Sequence, residues 1–449
     1  MPGEHDIVSR CEDRDISLVR LFYVDSAGIT RGRTVPAQDI EAFLSEGVNF
    51  AETQQAFTVL EYPVAGTAVS EPEGEVRLVP DPETFTPLPY ADRAAAMMGT
   101  FETLDGDPWD FGPRAQLATY LDDLAYTPTA SFESEFYLAR HDEDGELQPF
   151  DESGCFAADG MQSAHDIVLD IVDALAAQGM ELAIYYPEYG PGQQELVVKH
   201  DDGLAPADNH ALYKQTVKGV ARNHGLDATF LPKPFPDRPG SGCHLHLSLW
   251  DDDGNAFFDP DGSARYPLSD TARHFIGGVL EHGRGLVALT APTVVSYKRL
   301  QPHMWASAYT AWGKDNREGM VRVPSATADD PEGSTRIEYK PIDNTANPYL
   351  ALLGLLAAGM DGVERELDPA DPVQQDPGNL SAREREERGI RRYPETLGDA
   401  LDALADDDVL RAALGEPLVE SYLIIKREQW EEFTGSVTDW ELANLRGPF

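Results

Sequence analysis

Lysine is scarce in this sequence: Lys199, Lys214, Lys218, Lys233, Lys298, Lys314, Lys340 and Lys426 are all there is, and 79 acids face only 35 bases for a net charge of −44. A surface that negative is repelled by nucleic-acid phosphates and by anionic membranes, so neither is an expected partner. Cysteine is nearly absent too. Cys11, Cys155 and Cys243 are scattered and odd in number, which excludes a disulfide framework and a paired-cysteine metal motif and fits a reducing compartment. No apolar run reaches the roughly 18 residues needed to cross a bilayer, and Met1 to Asp15 holds no signal-peptide core. The expectation is a cytoplasmic protein. There is no internal repeat.

What the chain does have is length, 449 residues, and 41% hydrophobic content, enough for two or more packed domains. The acids are spread along the whole chain, which reads as a solvated surface adapted to a salt-rich, halophilic cytoplasm. At molar salt the screening length falls to roughly 3 Å and self-repulsion becomes tolerable.

Val19 to Val24 and Thr34 to Pro36 pattern as strands around a turn at Asp25 to Gly28, followed by an amphipathic helix from Ala37 to Glu46. A small mixed domain over residues 1–105 ends at the turn-rich stretch Asp105 to Pro113, and a larger α+β domain fills residues 106–449. Its strands include Ala130 to Ala139, Glu195 to Lys199 and Cys243 to Trp250. Its clearest helices are Ala164 to Gln178, Asp208 to Asn223, Ala272 to Leu286, Pro348 to Arg365 and Glu416 to Phe433. The charged run Ser381 to Arg392 patterns as a solvated helix.

Chemistry concentrates in a few segments. In Ser131-Phe132-Glu133-Ser134-Glu135-Phe136, strand alternation sends both glutamates to one face and both phenylalanines to the other. With this many acids such pairs arise by chance on the order of a dozen times, so the pair is weak evidence alone. Gly242-Cys243-His244-Leu245-His246-Leu247-Ser248-Leu249 is sharper, with His244, His246 and Ser248 on one face and three leucines on the other. Glu188 and Glu195 bracket a turn, Tyr189-Gly190-Pro191-Gly192-Gln193-Gln194, able to fold both carboxylates into one site. Glu338 lies between Arg336 and Lys340 on a further strand face, a setting for a structural ion pair or for a metal ligand beside phosphate-binding bases. Oxygen-rich sites with an imidazole suit Mg²⁺ or Mn²⁺. Arg299, Arg317 and Arg322 cluster in an otherwise base-poor chain and point to an anionic substrate.

These pieces occur in one order: E-x-E, the E-(x6)-E pair around PGQ, GSG-x-H-x-H, SYKRL, NRE-x3-R, and RIE-x-K followed by Thr345-Ala346-Asn347-Pro348-Tyr349-Leu350. That order resembles the glutamine synthetase family from Val19 to Trp440. The resemblance implies an N-terminal β-grasp domain, a catalytic domain built on a curved antiparallel sheet with flanking helices, and a ring of subunits, usually a dodecamer, with active sites between neighbours. It implies that Glu135, Glu188 and Glu195 hold one metal and Glu133, His244 and Glu338 the other. His246 and Ser248 become contacts to ATP, Arg317, Arg322 and Arg336 phosphate contacts, with Arg317 and Arg336 also catalytic, and Gly240, Arg299 and Lys340 contacts to glutamate. Lys340 replaces the family's usual arginine there, one point charge where a fork is usual, and Pro239 replaces an asparagine.

The departures decide the acceptor. Where ammonia-using members place an aspartate and a glutamate that bind ammonium and take its proton, this sequence has Ala51 and Trp305. A larger amine is expected in that pocket, stacked on Trp305 with cation–π attraction of roughly 0.5–2 kcal/mol. His303 and Glu52 are the candidate bases. The reading is a glutamate–amine ligase, for example of the putrescine or alkanolamine type. The alternatives are a glutamine synthetase using ammonia and an inactive structural or regulatory paralogue. The adenylylation tyrosine of some bacterial members is missing around Asn379-Leu380-Ser381. If the acidic surface is a salt adaptation, transfer from molar salt into dilute buffer will lower both the thermal midpoint and activity; a chain that keeps both refutes it.

Overall fold

The computed structural model describes residues 4–263 and 266–446. The architecture is α+β, with a 6-stranded sheet near the N-terminus, an 11-stranded sheet in the larger domain and a separate 2-stranded ribbon among the described residues. In the first sheet the strand order is Thr30–Pro36, Leu18–Val24, Ala94–Glu102, Glu75–Pro80, Val48–Ala51. Leu18–Val24 and Ala94–Glu102 run parallel at its centre, the β-grasp arrangement. The expected helix from Ala37 begins instead as a 3₁₀ turn, Ala37–Asp39, and becomes α-helical only over Ile40–Glu46. Pro36 has no side chain to cap the free amides, so the first turn tightens. The expected linker is pinned: the Trp109 backbone amide donates to the Phe101 carbonyl, and the Trp109 ring packs edgewise on Phe101.

The second sheet runs Tyr309–Lys314, Gly319–Val323, Ile337–Tyr339, Cys243–Asp251, Thr127–His141, Gln193–Val198, Leu182–Pro187. Its described pairings are antiparallel except that of Tyr309–Lys314 with Gly319–Val323. Leu245, Leu247 and Leu249 are fully buried beneath Cys243–Asp251, as alternation requires, and Phe132 and Phe136 are buried beneath Thr127–His141.

The five expected helices form over His165–Ala177, Ala205–Asn223, Asp270–Thr290, Pro348–Glu364 and Glu416–Gly435. Pro348–Glu364 is buried on nearly every side, as a central helix apolar all round must be. It crosses Asp270–Thr290 so closely that a Cβ on Gly278 would lie 2.0 Å from the Ala358 carbonyl oxygen; only glycine permits that approach. Asn347 caps the central helix by accepting from the Tyr349 and Leu350 amides, while its Nδ2 reaches the Asp25 carbonyl at 3.0 Å. The turn of the first sheet is thereby tied to the helix beneath the second. Arg114 adds a second tie, donating to Asp81 at 2.7 Å and to Asp208 at 2.8 Å.

The charged run is corrected. Only Ala382–Glu387 is helical, and Arg385 and Arg392 turn inward, their guanidiniums 4.9 and 5.4 Å from the centre of the Tyr309 ring. Cation–π contact and carbonyl acceptors draw these arginines out of solvent, a tertiary effect that charge spacing does not encode.

Far from the site, the His282 imidazole bridges Asp407 at 2.8 Å and Asp361 at 2.9 Å. Burial disfavours its charge, but the two carboxylates outweigh burial and raise its pKa. The bridge therefore contributes its full stability below the unfolded value of about 6.5 and loses it as pH climbs through the raised folded value. His282→Gln will flatten the thermal-midpoint profile as pH rises above about 6.5; an unchanged slope would refute the assignment.

Candidate active site

Register assembles the site. Across neighbouring strands Glu133 stands opposite His244, Glu135 opposite Glu195, His246 opposite Glu338, and Glu338 opposite Arg322. The side-chain period of two turns this row of charged groups to one face of the sheet.

At one end, His244 Nδ1 lies 3.4 Å from Glu133 and 3.3 Å from Glu338, and His246 Nε2 lies 3.3 Å from Glu133. Arg336 donates to His246 Nδ1 at 3.0 Å, so that nitrogen is the acceptor and Nε2 faces the carboxylate. Arg322 donates to Glu338 at 2.6 Å, and the Lys340 ammonium sits 3.4 Å from Glu338 and 3.2 Å from His244 Nε2. Burial opposes the charge of Glu133 and Glu338, yet the imidazoles, with Lys340 and Arg322 at Glu338, hold both well below the usual carboxylate range. His244 is lowered by burial and by Lys340. Glu133, His246 and Glu338 offer ligand atoms all within 4.8 Å of one another, so His246 lies as close to this end as His244.

The other end is unbalanced. Burial, with Glu135 next in weight, raises Glu188 to about 7. Glu195, held by Tyr186 at 2.5 Å, is raised well above its ordinary value by burial and by Glu133 and Glu135. Glu135 accepts from Gln193 at 3.0 Å and from the Gly242 amide at 2.9 Å. Glu135, Glu188 and Glu195 act on one another electrostatically, with His244 and Arg299 near Glu135, and offer oxygen ligands of the kind that suit Mg²⁺ or Mn²⁺; the described residues whose ligand atoms already lie close together are Glu133, His246 and Glu338.

Beyond Glu133 a groove of about 280 Å³ runs past His246 and Ser248 to Lys199 and Trp250. Trp250 donates to Ser248 Oγ at 3.0 Å. A larger hollow, about 450 Å³, opens beside Leu124, Tyr126 and Trp250 but contains none of the carboxylate–imidazole row. On the opposite side, Arg299 is buried, donates to the Ile342 carbonyl at 3.0 Å, and lies against Gly240, where a Cβ would come within 2.9 Å of it.

Some expected members are not gathered. Arg317 is exposed and makes no hydrogen bond or ion pair among the described residues. Ala51 is exposed at the end of a first-sheet strand, and the Glu52 carboxylate folds over Gly74. No described hydrogen bond or ion pair joins either to the carboxylate row. Trp305 is 69% exposed, and His303, also exposed, pairs with Asp376 at 2.5 Å. Sequence reasoning missed Gln193, Tyr186 and Glu318. Gln193 stands in the quoted PGQ turn and Glu318 in NRE, so both had a signal; Tyr186 had none.

The family model described as glutamine synthetase, catalytic domain, matches residues 112–445, and that of the glutamine synthetase N-terminal domain matches residues 2–109. Glutamine synthetase of Halobacterium salinarum is 37% identical over 98% of this chain and 95% of its own length. That of Thermus thermophilus is 37% identical over 97% of each. Among solved structures, GmaS in complex with ADP superposes with a TM-score of 0.86 at 30% identity, covering 99% of this chain and all of that one. A novel glutamine synthase homolog gives 0.83 at 32%, covering 95% and 97%.

Because the carboxylates repel one another, Mg²⁺ or Mn²⁺ will raise the thermal midpoint in a concentration-dependent way. Glu195→Gln will leave the metal-free midpoint unchanged or higher while weakening metal affinity about tenfold or more. A wild-type midpoint indifferent to both metals would refute the cation site.

Proposed function

The chain belongs to the glutamine synthetase family, and from that premise we propose that this ATP-dependent carbon–nitrogen ligase joins glutamate to a primary amine larger than ammonia. The observation that carries the reading is the pair of positions where ammonia-using members are acidic and this chain has Ala51 and Trp305. Without those acids an ammonium ion has neither counter-charge nor base, whereas an exposed indole offers a face to a carbon chain. The neighbour GmaS, a γ-glutamylmethylamide synthetase, supports an amine of this kind. The curated relatives named glutamine synthetase keep ammonia as the second reading.

In this reading Glu135, Glu188 and Glu195 hold one divalent cation and Glu133, Glu338 and His244 the other, with His246 beside the second. Bound cations offset the charge of the ATP phosphates. Arg322 and Arg336, already turned toward the row, meet the transferring phosphoryl group, and Arg317 joins them once its side chain swings inward. Gly240, Arg299 and Lys340 orient glutamate so that a γ-carboxylate oxygen attacks the terminal phosphorus and ADP departs. The ammonium gives one proton to His303 or Glu52, and the freed amine nitrogen then attacks the γ-glutamyl carbonyl carbon; phosphate leaves and carries off the second N–H proton as the amide forms. Ser248 and His246 line the groove proposed for ATP. The family is oligomeric, and a cytoplasmic ring, a dodecamer in the usual form, would bring the Ala51 and Glu52 of a neighbouring copy to the mouth that a single chain leaves open.

The inactive-paralogue reading is disfavoured, because Glu133, His246 and Glu338 lie together beside Arg322 and Arg336, and none of the carboxylates proposed to bind metal has been lost from the sequence. In an ATP-coupled phosphate-release assay, putrescine, ethanolamine or methylamine will outcompete ammonium, and Glu338→Ala will abolish turnover. Ammonium winning that competition would overturn the amine reading. Phosphate release unaffected by Glu338→Ala would overturn the site.

A further inference from the structure

The acceptor side holds one acid that no role above employs. Glu318 precedes the strand Gly319–Val323 and is only 8% exposed. Its Oε1 accepts the Trp305 amide at 2.8 Å, and its own amide is held by the Asn316 side chain at 3.0 Å. No hydrogen bond among the described residues reaches Oε2. Oε2 is not sealed off from solvent, so it stays open to an incoming donor. The charged groups that act on it are Asp376, Lys340 and His303, which belong to the proposed glutamate contact and to the acceptor loop. That loop is pinned at alternate residues with positive φ: His303 by Asp376, Trp305 by Glu318, and Ser307 by Tyr393 at 2.6 Å. The Trp305 backbone is therefore held by a carboxylate whose second oxygen has no described donor.

We propose that Glu318 is the anionic anchor of the acceptor pocket, its Oε2 receiving the ammonium group of an incoming primary amine while Oε1 fixes Trp305 against the carbon chain. The proposal rests on the ligase reading above and deepens it. It moves the counter-charge of the acceptor from the two lost acids to a residue outside either position, and it selects for cationic primary amines.

Glu318→Gln keeps an oxygen for the Trp305 amide and removes only the charge. Its KM for methylamine and ethanolamine will rise about tenfold or more, as expected for loss of a charge-assisted hydrogen bond, with KM for glutamate and ATP within about twofold. With hydroxylamine, uncharged at neutral pH, γ-glutamyl hydroxamate formation will fall far less. Glu318→Ala, which also frees Trp305, will lower the hydroxylamine rate as well. An equal fall with charged and uncharged acceptors in Glu318→Gln, or no fall with either, overturns the proposal and leaves Glu318 as a support for Trp305. A wild-type enzyme that uses ammonium and no alkylamine overturns the amine reading alone: ammonium is also a cation, and a raised ammonium KM in Glu318→Gln would still uphold the anchor.

Discussion

The antiparallel pairing of Thr127–His141 with Cys243–Asp251 is the constraint on which the site depends. It sets Glu133 opposite His244 and Cys243 opposite Ser134, and the flanking strands inherit their alignment from it. A slip of one residue would drive Glu133 and Glu135 into the core and lift Phe132 and Phe136 into the groove. Burial of the leucines and phenylalanines beneath these strands makes that slip prohibitive. The apolar face thus enforces the polar one: the core chooses the register, and the register places the charges.

The same register creates an electrostatic problem that it solves only in part. Glu338 has Arg322 and Lys340 against it, and Glu133 has two imidazoles. Glu135, Glu188 and Glu195 have amides, a tyrosine and one another, with His244 and Arg299 near Glu135 alone. Removing one carboxylate would relieve the folded chain, so stability alone does not account for all three. Lys340 belongs to this balance. Its ammonium lies among Glu338 and His244 and not out in the groove, so the replacement of a forked arginine by lysine alters the charge at the row as well as the contact expected with glutamate.

What the sequence disclosed follows from periodicity and order. The faces of Ser131–Phe136 and Cys243–Leu249 came from alternation, and the ordered motifs joined segments that no local pattern connects. What stayed hidden depends on tertiary proximity. Nothing in Leu182–Pro187 marks Tyr186 as the donor to Glu195, nothing in a run of arginines tells which will stack on Tyr309, and a helix-like spacing of charges survives even where the helix stops at Glu387. Arg317 shows the opposite failure. It sits in the motif that marks it as a phosphate contact, yet its side chain lies in solvent, because a motif records the chain order and not the rotamer.

The two halves of the reaction stand on different kinds of structure, and this explains why one can diverge while the other stays. The carboxylates and imidazoles proposed to hold metal project from paired strands or from the turn between Leu182–Pro187 and Gln193–Val198, where replacing one residue disturbs its partners across the ladder. The groups facing the acceptor ride on the stretch from His303 to Ser307, whose left-handed conformations are held by three separate side-chain contacts and not by a sheet. Such a stretch can exchange an acid for an indole while its anchors keep their places, provided that the counter-charge for a cationic acceptor reappears nearby. Glu318, fixed at the root of a strand and bonded to the loop's backbone instead of its side chains, can meet that requirement whichever residue occupies position 305.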